Sequence, residues 1–452
     1  MLGKNQSEPA LFQMVDIESI VPAKHMLRRL DSVLDLSFVR EEVAKCYATA
    51  RGRPSIDPEL AVRMMILGVV YNLSDRELCD EIAMHAGMRW FCRLNFHDPV
   101  PDHSTLSRLR NERWAQSGLF ERLFDEVLRQ CSEAGMVSGR HLSVDGTEVK
   151  ANASVKSLTR RDGRNPPPPP SDGPREPQPG GAWSAHGVKF SNETHRSVTD
   201  FDARLYRKGN GRSANLCYLA HDLIDTKSRV ILRRAVTRAT GSAEREAALQ
   251  MLDEVLQDGE ALGLPQAPEI LTADTGYGTA AFVADVIDRG VLPHIPLLSS
   301  EKEEPVPVYR RRTFDLDRQR RRVEKIRRAE ACQQVRAQYQ TRGYQVSRKL
   351  RVRSEHLFAE GKNEHGLDRA RHRGLSRVQR QMTLVAVVQN LKRLVAYVGR
   401  RRGAAASAAV ARLKVPANPG TSGFNHACAV LHRLLPGFAL PIAAWSPAKS
   451  PS

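Results

Sequence analysis

HLSVDGTEVKANAS, residues 141–154, decides how the rest of the chain is read. Leu142 and Val144 alternate with polar neighbours, the period of a half-buried strand, and the run delivers Asp145 directly before Gly146. Alternation resumes through Val149, with Lys150 and Asn152 on the polar side. Two readings of Asp145 are open. It is a turn aspartate capping a hairpin, or it is a carboxylate raised from the end of a buried strand run and presented to a metal.

Two further acids bear on that choice. EILTADTGYG, residues 269–278, is a short apolar strand ending in Asp274, again followed by a Gly-containing turn. In a mixed sheet two such strand ends can lie side by side, within reach of one hard cation. The third acid, Glu355, falls on a predicted helix behind a basic segment, with Arg351 four residues before it and Lys362 seven after, all on one helical face. Structural ion pairing on a surface helix is the alternative for that face.

Three converging acids have a chemical reason. Breaking or joining a phosphodiester needs an activated oxygen nucleophile, in-line geometry and neutralisation of growing negative charge, which two magnesium ions about 4 Å apart supply. Magnesium takes oxygen ligands and few protein carboxylates. Without a cation the acids would raise one another's pKa values, so the triad makes sense as a cation site.

Composition narrows the partner. The formal net charge of +18 over 452 residues, carried mainly by arginine, suits a polyanion, most simply nucleic acid. No run of about 20 apolar residues predicts a spanning helix, and a membrane partner is not expected. The N-terminal stretch lacks a signal-peptide pattern. The seven cysteines are scattered, never in CxxC spacing, which predicts reduced thiols in a cytoplasmic protein and no zinc site. Sparse aromatics argue against base stacking as the main mode of recognition. No GxGxxG or GxxxxGK[ST] loop stands in the right context for a nucleotide-dependent metabolic enzyme.

Outward from the central stretch, residues 1–135 read as a helical domain. Leu60, Met64, Leu67 and Tyr71 share one helical face, and Ser74-Asp75-Arg76-Glu77 is a capping box opening the next helix. This pair suits either a helix-turn-helix unit or an ordinary bundle. A helix capped near Asp102 carries Arg108, Arg110 and Arg113 as a polar cluster, either solvated or facing a DNA backbone. Residues 136–400 are predicted to form an α/β, mixed-sheet catalytic domain. Residues 216–225 and 229–237 pair as strands, Ser242 caps a helix, and a helix over 279–289 precedes a strand in VLPHIPL. Within this domain, 161–182 is a Pro-rich insertion and 300–345 a basic helical insertion. A long amphipathic helix runs from about Gln379 to Tyr397, and 401–452 reads as a loosely ordered tail.

With these residues in view, the chain resembles DDE transposases of bacterial insertion sequences, in the broad insertion-sequence-five superfamily, from roughly residue 35 to 398. GRPSIDPELAVRMMILGVVYNLSDREL and DPVPDHSTLSRLR resemble the family's N-terminal DNA-binding region; DGTEVKANAS, TADTGYG and RVRSEHLFAEGK resemble the segments carrying its Asp, Asp and Glu. The resemblance implies a ribonuclease-H-like core in which Asp145, Asp274 and Glu355 are catalytic and hold two magnesium ions, with manganese able to substitute. It implies binding of terminal inverted repeats, strand cleavage, and transfer to target DNA by a dimer or larger assembly. Lys150, Arg351, Lys362, Arg108 and Arg110 are the expected DNA contacts. Where the family pattern has Tyr before the Arg–Glu–Lys series, this chain has Arg348. The other readings carried are a nuclease of the same fold without strand transfer and an inactive DNA-binding copy.

Overall fold

The computed structural model describes residues 16–47, 55–162, 184–185, 188–207, 213–298, 307–309 and 315–412, the side chains of 184–185, 188–189 and 402–412 aside. Its centre is strand β1, His141–Lys150, and Asp145 lies in the middle of that strand, not at its end. The expected break after Asp145 is absent because the antiparallel partner continues past it: Asp145 pairs with Asp222, Gly146 with His221, and the ladder runs on to Lys150 opposite Cys217.

That partner is β3, Asn215–Asp225, buried along nearly its whole length. Its other edge pairs with β2, Arg204–Tyr206, and with β4, Ile231–Arg238. The predicted hairpin of 216–225 and 229–237 is therefore present. On the opposite side of β1 the sheet turns parallel, through β5, Ile270–Thr272, and then β6, Leu292–His294. The order is β6-β5-β1-β3, with β2 and β4 sharing the far edge of β3. Parallel neighbours need long crossovers, which here contain helix α5, Ala243–Asp258, and helix α6, Ala280–Asp288. This is the mixed α/β, ribonuclease-H-like sheet expected.

The two faces of β3 bury different partners. Leu216, Tyr218 and Ala220 pack with Phe358, Val378, Met382 and Val385, side chains of α9, Val352–Glu364, and α10, Leu375–Arg412. Leu219 packs instead with Ala243 at the start of α5. Asp222 lies on the α10 face, where Arg234 clasps it through two bonds of 2.6 Å and also donates to Gln389. The basic segment forms α7, Leu316–Gln338, and α8, Arg342–Leu350; residues 299–306 and 310–314 lie outside the described residues. The Pro-rich stretch from 163 to 182 lies outside them too.

The N-terminal part is helical. Helix α1, Pro58–Val70, starts with Asp57 as cap and Pro58 in the first turn, and buries most of its length. Helix α2, Asp75–Met84, opens with the predicted capping box: Ser74 Oγ accepts from Glu77 N while Glu77 accepts from Ser74 N. Helix α3, His103–Arg108, is capped by Asp102, and α4, Leu119–Glu133, buries Leu119, Phe120, Leu123 and Val127. The bend between α1 and α2 is held by the loop after α9. Arg371 donates to Leu73 O and Asn72 Oδ1, and His365 Nδ1 lies 3.0 Å from Val69 O. The same loop pairs with the end of β1, through Lys150 N to Asp368 O and Ala370 N to Lys150 O.

The chain divides into two compact units, Met1–Val395 and Ala396–Ser452. The long helix starts at Leu375 and continues to Arg412, so the first residues of the expected loose tail are helical; those after 412 lie outside the described residues. Among the described residues no helix is long and apolar enough to cross a membrane.

Candidate active site

β1 and β5 pair from His141 opposite Ile270 only as far as Ser143 opposite Thr272. Beyond that point β1 loses its parallel neighbour, and the turn 274–278 stands beside it. Asp145 is the second residue past the split. Gly146 N donates to its Oδ1 at 2.8 Å and Ser354 Oγ to its Oδ2 at 3.0 Å. Burial pushes the Asp145 carboxyl above its usual range; those two hydrogen bonds and Arg351 pull it back, while Asp274 adds to the rise. Asp145 and Asp274 therefore share one electrostatic neighbourhood. Asp274 itself caps the following turn, accepting from Gly276 N at 2.9 Å, and is half-buried.

Glu355 reaches this place on α9, which docks on β1 through its neighbour Ser354. The Glu355 carboxylate is exposed and lies 3.6 Å from the Arg351 guanidinium one turn away. The structure thus places the Glu355 helix against Asp145 but leaves its carboxylate at the open side. Ser354 was missed in the sequence, although its i+3 spacing from Arg351 marks the same face. Farther along the helix, Lys362 and Lys150 both act on the buried Cys217 thiol, so these two cations share the end of β1.

The arginines expected at the N-terminal helix divide. Arg108 is exposed, but Arg110 is buried and bonds Asp75 through both terminal guanidinium nitrogens, at 3.1 and 2.5 Å. Residues 109–113 form a π-helical turn, which rotates Arg110 inward and lays Arg113 over the Tyr47 ring. Arg110 therefore holds α2 in place and presents no charge to a DNA backbone. A larger cationic surface lies elsewhere. Arg245, Arg320, Arg321, Lys325 and Arg328 line a groove of about 890 Å³ between α6 and α7, together with Glu324, which Arg328 bonds at 2.6 Å, and with Thr279, Ala280 and Ala329. Arg245 Nη1 also donates to Gly276 O, which sets the groove beside the Asp274 turn.

The donor set fits a divalent cation. Asp145, Asp274 and Glu355 offer oxygen only, as a hard ion prefers. Tyr277 is 1% exposed, and its Oη has no hydrogen-bond partner among the described residues, although Asp145 and Asp274 both act on it. An orphaned buried hydroxyl beside two acids is what the hydration shell of a bound ion would satisfy. A second group of possible ligands, Glu360, Glu364 and His365, is different. Lys392 Nζ already sits 3.0, 2.6 and 3.1 Å from them, so an ammonium fills the place of a cation.

Comparison with known families covers both the helical part and the sheet. Residues 15–112 match the family described as Transposase domain (DUF772), and residues 138–391 match Transposase DDE domain. No solved structure matches the chain. The second match spans more than half of the sequence and covers the sheet, the acids and the helix bearing Glu355; the chain belongs to the DDE transposase family and is a DNA transposase, of a family that acts on DNA with divalent metal.

Proposed function

We propose that the protein binds the terminal inverted repeats of its own insertion sequence, cleaves at their ends and joins the 3′ hydroxyls to target DNA. The observation that carries this reading is the meeting of Asp145 and Asp274 at the β1–β5 split, with the Glu355 helix fastened there by Ser354. Asp145, Asp274 and Glu355 are the ligands of two magnesium ions in this reading, and manganese substitutes for them. When bound, such ions activate an oxygen nucleophile and neutralise charge on the phosphate.

The chain's own cations do the positioning. Arg351, beside Asp145 and Glu355, orients the scissile phosphate. Lys150 and Lys362 hold the strand further along, and the basic face of α7 between 316 and 328, with Arg245, tracks its backbone. Arg108 and the α1–α2 pair belong to the helical part, residues 1–135, to which repeat recognition is assigned. Since two ends must be cut together, the active form is a dimer or larger assembly on DNA. A place in the bacterial cytoplasm beside the nucleoid follows from that substrate.

The test is a labelled duplex carrying the element's terminal repeat, incubated with magnesium and with wild-type or Asp145→Ala protein. The expected result is cutting at the repeat end by the wild type and binding without cutting by the variant. Strand-transfer products distinguish a transposase from a simple nuclease. Binding without cutting by both proteins, in magnesium and in manganese, makes this copy a DNA-binding protein only.

A further inference from the structure

A fourth acid stands at the same opening, reached from the other face of the sheet. Side chains alternate along β1, so Asp145 faces α9 and α10, whereas Gly146 faces α5 together with its ladder partner His221. Gly146 has no side chain, and the room this leaves is used. A Cβ there would sit 3.5 Å from Glu244 Oε1 and 3.1 Å from His221 Nδ1. Glu244 lies in the first turn of α5, and its neighbour Arg245 is bonded to Gly276 O, which ties the start of this helix to the Asp274 turn.

We propose that Glu244 is a fourth carboxylate of the cation site, directed past Gly146 into the gap between β1 and the Asp274 turn. The proposal rests on the two-metal reading above and extends it to a residue outside the Asp–Asp–Glu triad. A second observation points the same way. Tyr277, packed behind the turn with its Oη lacking a partner among the described residues, is acted on by Glu244 first among its charged neighbours, then by Asp145 and Asp274. One buried hydroxyl thus lies within reach of acids from β1, from the turn and from α5. An acid in a first helical turn is ordinarily explained by the helix dipole. Glu246, in the same turn and exposed, meets that need at the surface; Glu244 is turned inward and half-buried. Arg245 acts on the same hydroxyl and Arg351 on Asp145, offsetting part of the repulsion among the three acids, and a divalent ion seated between them would offset the rest. Magnesium, which keeps several waters, can take Glu244 directly or through one of them.

Manganese binding to the full-length protein, measured by calorimetry, tests this on wild type, Asp145→Asn, Glu244→Gln and Glu246→Gln. Melting temperatures with chelator and with manganese are recorded for each. Glu244→Gln is expected to weaken manganese binding by about tenfold or more. It should also shrink the manganese-induced rise in melting temperature without lowering the value in chelator, and Glu246→Gln should match the wild type. If Glu244→Gln fails to fold, Glu244→Asp, which keeps the charge and shortens the reach, should show the same weakening. Wild-type affinity in the Glu244 variant, with affinity lost in Asp145→Asn, overturns the proposal and leaves the metal site standing. No manganese binding by the wild type overturns both.

Discussion

Ser354 Oγ donates to Asp145 Oδ2 at 3.0 Å, so the helix that carries Glu355 is fastened to the central strand acid by the residue just before Glu355. This bond also favours the ionised form of an acid that burial pushes the other way. Removing it by Ser354→Ala should raise the Asp145 pKa further. Cleavage then reaches its plateau at a higher pH than in the wild type, and the rate below the plateau falls roughly ten- to a hundredfold, the worth of one hydrogen bond to a charged group. Single-turnover cleavage across pH reads this directly; a superimposable profile would remove Ser354 from the site.

Arg234 and Asp222 form an ion pair in which both side chains are 1% exposed, one strand away from Asp145. Arg234→Met leaves a buried carboxylate without its partner and should cost about 3–5 kcal/mol in urea unfolding. Combining it with Asp222→Leu should recover much of that loss. Equal instability of single and double variants would show that the packing of Arg234, not its charge, matters there.

Gly278 closes the Asp274 turn so tightly that a Cβ would lie 2.0 Å from Pro296 O. A backbone atom cannot swing aside, so Gly278→Ala must displace the turn, with an expected loss of about 2 kcal/mol or more and of cleavage with it. Gly241, with open space around it, is the control, and Gly241→Ala should melt as the wild type does. A Gly278→Ala protein that melts and cleaves normally would refute the tight packing.

Acid sensitivity should follow buried histidines. His294 is 4% exposed, its Nδ1 lies 2.7 Å from Ser347 Oγ, and burial, with His141 adding to it, holds its pKa down at about 4. The unfolded chain binds that proton from about pH 6.5 downward, whereas the folded chain resists until about 4. Its contribution is therefore complete above pH 6.5 and is lost as pH falls through that window, by at most about 3 kcal/mol. His294→Phe should flatten the fall in melting temperature between pH 7 and 4.5. An unchanged slope would assign the acid sensitivity to other groups.

Local chemistry made the elements legible. The capping box at Ser74, the cap at Asp102 and the apolar runs of β3 and β4 depend on neighbours in sequence, and all are present. What depends on distant partners was not legible. Asp145 looked like a strand end because Gly146 follows it, yet β3 carries the ladder past both. Arg110 looked like a surface cation because its partner Asp75 lies 35 residues back, and a π-turn sets its direction. The three acids were placed in sequence by pattern and resemblance. That α9 meets β1 through Ser354, with the Glu355 carboxylate left exposed, needed the packed structure.

The clasp between the α1–α2 bend and the loop after α9 has a consequence for any attempt to retarget the protein. Arg371 and His365 hold Asn72, Leu73 and Val69, and the same loop extends the ladder of β1 at Lys150. The helical part proposed to read the repeat is thus not a detachable cassette. Exchanging residues 1–135 for those of a relative with another repeat would sever bonds made to the strand that presents Asp145, unless the loop from 365 to 373 travels with it. In the proposed reading, specificity and chemistry in this chain are inherited as a matched pair.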